Sequence, residues 1–281
     1  MLGGLVAVIA VLVGVLFFAV GDGDDAGGGA DAGGGAPVEV GHVHGLGVDP
    51  ASGDLYAGTH YGLIRFPEQG EPTLVGEVQD FMGFTVIGPN RFLASGHPGE
   101  DQEGPANVGL IESTDGGRSW HTLSLAGQAD FHALAARHGL IYGYNAGQLM
   151  VSADGRNWDT RARLAMADLA ISPEGPQTVL ATTQQGLASS TDGGRSFRLV
   201  AGAPLLQLVT WTDTGTLIGV DPEGTVHVSS DGGATWEQRG SVGGAPQALT
   251  ATDDEIFGAV ADGIVASSDG GRTFQTRYEA S

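Results

Sequence analysis

Cysteine and lysine are both missing from this 281-residue chain. Without cysteine there are no disulfides, no thiolate metal ligands and no lipid-modified cysteine anchor. Without lysine the 12 basic residues are all arginine, set against 33 acidic ones, and the net charge is −21. A surface of that sign repels phosphate backbones and anionic headgroups, which excludes nucleic acid as a partner. The same acidity attracts metal ions and cationic ligands, although a solvated acidic surface needs neither. Three catalytic signatures are also absent. No Gly-rich phosphate loop stands between a strand and a helix, no G-x-S-x-G elbow presents a nucleophilic serine, and no H-x-x-x-H pair lies on a helix.

Residues 1–20 carry no charged side chain. About 20 apolar residues are enough to cross a bilayer as a helix. A signal peptide normally has a basic start, and this segment has none; Ala19-Val20-Gly21 is only a fair cleavage site. The segment is therefore expected to be a retained membrane anchor, with a cleaved signal as the alternative. Either way the remainder is exported, to the cell surface or as a secreted protein. Residues 21–37 are Gly, Ala and Asp without apolar periodicity, the composition of a flexible tether.

From residue 38 the chain repeats itself. Ser113-Thr-Asp-Gly-Gly-Arg-Ser-Trp120 recurs as Ser190 to Phe197, Ser229 to Trp236 and Ser267 to Phe274, with a copy one residue shorter from Ser152 to Trp158. Asp115, Asp154, Asp192, Asp231 and Asp269 follow one another at steps of 38 or 39 residues. Asp folds its carboxylate onto the amides of a tight turn, and Gly-Gly supplies positive φ. The aromatic residue (Trp120, Trp158, Phe197, Trp236 or Phe274) then anchors the next strand. Six rows can be laid out, about 38–78, 79–128, 129–164, 165–203, 204–244 and 245–281, each with a glycine opening its third strand. Row one reads as strands over 43–48, 55–59, 62–66 and 73–78, and the last strand of row six as 273–278. Four strands in about 40 residues is the arithmetic of a propeller blade. The expected fold is all-β: a six-bladed β-propeller of four-stranded antiparallel blades over 38–281, preceded by one N-terminal hydrophobic helix. Ring closure is expected blade to blade, with 38–40 as a further stitch to the last blade.

The motif S-x-D-x-G-x-[ST]-[WF] resembles the Asp box of bacterial-neuraminidase (BNR) repeats. Over residues 42–281 the chain is similar to exported Asp-box proteins of the sialidase-like, glycosyl-hydrolase-like kind. The resemblance implies a propeller in which the Asp box is a structural turn remote from the active site. Fold does not carry function with it.

Propeller geometry sorts the polar residues by face. Entries to the first strand and turns from the second to the third strand share one face; the Asp boxes occupy the other. His42 and His44, and His132, precede or open first strands. His60 and His97 follow second strands. Five of eight histidines thus fall on one face, all in rows one to three, with Asp80, Asp130, Tyr144, Asn145 and Asp168. The long insertion from His97 to Asn107 rises there too. Imidazole is the commonest ligand of Zn and Cu, so His44, His60, His97 and His132 are the candidate donors for a divalent metal.

The arginines go elsewhere. The resemblance to sialidases implies three converging arginines that bind a carboxylate. Here Arg118, Arg156, Arg195 and Arg272 are inside the boxes, and the others, Arg65 apart, lie on outer strands or turns of the box face. No arginine triad can be assembled on the histidine face, which argues against sialidase chemistry. The leading expectation is an extracytoplasmic ligand-binding or scaffold module whose partner is a metal, a glycan or a protein. The alternative is a glycoside hydrolase acting on a non-sialic glycan through two carboxylates, with Asp80, Asp130 and Asp168 as candidates.

Overall fold

Short apolar runs separated by turn glycines cannot bury two faces alone, so they pair and then stack. The structure, a computed structural model, describes residues 38–100 and 102–280. The expected anchor and tether lie outside the described residues. Among the described residues no helix is long and apolar enough to cross a membrane. The strands form six four-stranded antiparallel sheets, each a meander in chain order. The fold is a six-bladed all-β propeller.

Blade one consists of Val43–Val48, Leu55–Thr59, Gly62–Phe66 and Thr73–Val75. Blade two consists of Asp80–Gly88, Arg91–His97, Leu110–Ser113 and His121–Ser124. The first strands of the other blades are Ala133–Arg137, Asp168–Ile171, Leu208–Trp211 and Ala248–Ala251. First strands line a central channel of about 350 Å³. Two strand ends differ from expectation. The fourth strand of blade one stops at Val75, before Gly76 turns the chain with φ 70°. That of blade six starts at Gln275, because the Thr273 amide and hydroxyl are taken by Asp269 in the turn.

The core lies between the blades. Six buried clusters are each shared by two neighbours; one joins Tyr56 and Leu63 of blade one to Phe81, Phe84 and Phe92 of blade two. Burying a side chain of this size contributes about 1.5–3 kcal/mol before conformational entropy is counted. Closure is blade to blade: Val43, Leu46 and Ile64 of blade one pack on Ala248, Phe257 and Ile264 of blade six. Residues 38–40 add no strand. Instead Val40 is buried in that seam, and the Val38 carbonyl accepts from the Tyr278 hydroxyl at 3.3 Å.

The recurring turn is an inter-blade joint. In its first copy the buried Ser113 hydroxyl donates to Asp115 (2.8 Å) and accepts from the Gly117 amide (2.8 Å). Asp115 in turn accepts from the Ser119 amide and hydroxyl. These bonds favour the charged carboxylate and hold Asp115 down at about 2. Gly117 has φ 86°, and a Cβ there would lie 2.1 Å from Leu63 of the preceding blade. The second turn glycine likewise faces Leu149 from Gly194, Leu187 from Gly233 and Val226 from Gly271, and in the shorter copy its single glycine, Gly155, faces Leu110. Every copy therefore seats its turn on the third strand of the blade before it.

Candidate functional site

Strand register sets the faces. Val43 pairs with Thr59, and Thr59 with Gly62, so His42, His44 and His60 collect at one end of blade one. Asp80 opens the first strand of blade two opposite His97, which ends the second. The two strands approach so closely there that a Cβ on Gly96 would lie 2.0 Å from the Asp80 carbonyl oxygen. Only glycine permits this approach, and it sets His97 beside the Asp80 carboxylate.

Five histidines and two carboxylates form one continuous chain across blades one to three. His42, His44 and His60 cluster, with ring centroids 4.7, 4.4 and 6.1 Å apart for the pairs 42–44, 44–60 and 42–60. The Nε2 atoms of His44 and His60 face each other at 3.0 Å. The Nδ1–H of His60 donates to Asp80 at 2.7 Å. The other Asp80 oxygen lies 3.1 Å from His97 Nδ1. His97 Nε2 is 3.5 Å from Asp130 Oδ2, which also accepts from His132 Nε2 at 2.8 Å. Asp130 Oδ1 is buried without a hydrogen-bond partner.

Proton affinities divide along the chain. Burial, then the neighbouring His42 and His60, push His44 down to about 4, so its imidazole is neutral at neutral pH. Burial and His60 lower His42 as well. At the other end the hydrogen bond to Asp130 raises His132. Burial works against the Asp130 charge, but the His132 hydrogen bond and the charges of His132 and His97 outweigh it and hold Asp130 below the usual carboxylate range.

The remaining sequence candidates fall outside this chain. Asp168 lies in the channel wall, where its two oxygens accept from the Leu169 amide (2.8 Å) and the Val209 amide of blade five (2.9 Å). No hydrogen bond or ion pair joins it to the histidines among the described residues. Burial pushes it up to about 6 against those two bonds. Tyr144 packs on the core between blades three and four, and its carbonyl accepts from the His132 amide at 3.1 Å. The Asn145 side chain caps the Asp130 amide at 3.3 Å. Arg65 is paired with Asp54 at the opposite end of blade one. Among the described residues, no three His, Asp or Glu side chains have the spacing of one formed metal site.

An open cleft of about 790 Å³ adjoins the chain, lined by His60, Tyr61, Glu77, Val78, Asp80 and the start of the insertion. Sequence reading singled out the insertion but not the residue that fixes it. Gln102 Oε1 accepts from the Gly99 amide, and its Nε2 donates to Glu77 and to the Val78 carbonyl. The insertion is thereby strapped onto blade one. A Gln in a polar loop gives no local signal of such a long-range bond.

No family model matches the chain, and no curated protein matches it. Solved structures match over most of the propeller. A gluconolactonase of Xanthomonas campestris superposes with a TM-score of 0.65 at 15% identity, over 80% of this chain and 85% of that one. YCF48 bound to a D1 peptide gives 0.52 at 20% identity, over 85% and 83%. The GH74 xyloglucanase of Xanthomonas campestris gives 0.54 at 18% identity, over 85% of this chain but 46% of the enzyme. At such identities the likeness is one of fold, shared by enzymes and binding proteins alike.

Proposed function

We propose that this propeller is an extracytoplasmic binding module that holds a divalent transition metal, Zn or Cu, at the blade-one end of its histidine chain. The observation that carries the reading is the pair of Nε2 atoms facing each other at 3.0 Å, with a third imidazole beside them. Imidazoles on one tetrahedral Zn, with bonds of about 2.0–2.1 Å, would have donor nitrogens roughly 3.3 Å apart and ring centres roughly 5 Å apart. The three observed centroid separations, 4.4 to 6.1 Å, bracket that value. A rotation of His42 and a few tenths of an ångström between His44 and His60 would bring three nitrogens onto one ion. The lowered proton affinity of His44 keeps its imidazole neutral, so the proton shared between the two facing Nε2 atoms can move to His44 Nδ1 and free both for an ion. Asp80 stands where an outer-shell carboxylate orients a ligand histidine. Export of the module rests on the apolar segment 1–20.

Glycosidic hydrolysis is the weaker reading. It requires a carboxylic acid whose proton affinity is raised near the scissile bond. Of the candidates, Asp130 is shifted downward, and Asp168, shifted upward, is bound to two backbone amides.

Calorimetric titration of metal-free protein with Zn²⁺ and Cu²⁺ tests the proposal. One ion per chain is expected, binding is expected to vanish in His44→Ala and His60→Ala, and affinity is expected to fall about 10–100-fold in Asp80→Asn. Absence of binding heat together with an unchanged melting temperature would refute the metal site. Loss of binding in His97→Ala but not in His42→Ala would move the ion to the middle of the chain.

A further inference from the structure

The strap formed by the insertion is the largest departure from the repeat. In blade one the second and third strands are joined through His60 and Tyr61 alone, whereas in blade two the connection runs from Pro98 to Gly109. A long loop that the fold does not require points to function. Beside the cleft at His60 lies a second cavity of about 630 Å³ whose lining extends to Trp120; Glu77, Pro98 and Gln102 line both. The two cavities make one trench, with the Gln102 side chain between its chambers.

The lining of the trench selects its occupant. Glu77, Glu100 and Glu103 face it, and the cation there, Arg118, stands at the far end with its guanidinium donating to its own turn. Tyr61 and Val78 expose 46% and 47% of their surface at the near end, high values for large apolar residues. Trp120 lines the outer chamber, and its indole N–H is without a partner. An elongated, two-chambered, acidic and partly apolar trench complements an extended chain that alternates apolar and cationic side chains. We infer that the strap holds a basic, apolar-containing segment of a partner polypeptide, running from the His60 end toward Trp120. The inference is independent of the metal, since none of these contacts uses the facing Nε2 atoms.

The test is fluorescence anisotropy of a labelled peptide of alternating Arg and Leu, run in EDTA on the full chain, against a peptide of alternating Glu and Leu. The basic peptide is expected to bind at least 10-fold more tightly. Glu100→Arg, whose wild-type carboxylate takes no part in the bonds of the strap, is expected to weaken it at least 10-fold. Glu77→Gln/Glu100→Gln should do the same, while the charge-matched control Glu174→Gln/Glu279→Gln, exposed elsewhere, should change it less than 2-fold. Equal losses in the control and trench variants would mean non-specific attraction to an acidic protein and overturn the inference. So would failure of the basic peptide while a neutral xylo-oligosaccharide binds in a manner sensitive to Trp120→Ala.

Discussion

His44 and Asp168 both line the central channel, and burial shifts their proton equilibria in opposite directions. Between pH 6.5 and about 4 the unfolded chain takes a proton that folded His44 refuses, so this residue lowers stability as pH falls through that window. Between about 6 and 3.8 folded Asp168 keeps a proton that the unfolded chain releases, so its effect on stability weakens as pH rises. Melting temperatures of metal-free protein measured from pH 4 to 7 should separate the two. His44→Gln is expected to remove the acid-side decline. Asp168→Asn should remove the opposing slope and lower the melting temperature throughout, because an amide cannot accept from both the Leu169 and Val209 N–H groups. A His44→Gln curve with the wild-type slope would assign the decline to another group. The histidines themselves were legible in the sequence, since their positions at strand ends assigned them to one face. Their order of pairing was not, because it depends on which oxygen of Asp80 or Asp130 each imidazole meets.

The eight-residue turn was the most legible element, and the reason is its locality. Serine, aspartate and paired glycines close their hydrogen bonds within four residues, so spacing alone announces the geometry. Its seat on the neighbouring blade was hidden, since Leu63 stands 54 positions before Gly117 in the chain. That seat makes a quantitative prediction. Gly117→Ala adds a Cβ both to a positive-φ residue and against Leu63, and should destabilise by about 2 kcal/mol or more. Gly53→Ala, at φ 79° with nothing within 4 Å of the new carbon, should lose about 1 kcal/mol. Denaturant titration of both variants gives the comparison, and equal losses would mean that the inter-blade contact relaxes freely. The strap is the opposite case, an element whose presence could be read and whose attachment could not. Gln102 reaches back 25 residues to Glu77 in another blade, and no periodicity marks that pair.

At the scale of the molecule, a step of 38 or 39 residues was enough to count blades and assign faces. Blade-to-blade closure was legible too, but not the form of the stitch at residues 38–40, which lie along the seam without strand pairing and are held by the buried Val40 and the Tyr278 hydroxyl. Polar side chains join neighbouring blades: Ser95 accepts the Phe131 amide, Asp168 the Val209 amide and Gln247 the Val43 amide. The last of these crosses from blade six to blade one. Gln247→Ala leaves that amide without its acceptor and should lower stability by about 1–3 kcal/mol. Hydrogen exchange should quicken first at Val43 and its neighbours. Uniform acceleration around the ring would instead indicate that all six interfaces open together.

Residues 38 and 280 flank the same seam, where the Tyr278 hydroxyl meets the Val38 carbonyl and the Arg277 guanidinium meets the Pro67 carbonyl. Among the described residues no strand is shared across it. Tension applied through those two points would load one blade interface directly and the other five only after it had parted. The ring would then unravel from both sides of the break, one blade at a time, and the blade-one end of the histidine chain, next to the break, would be dismantled early.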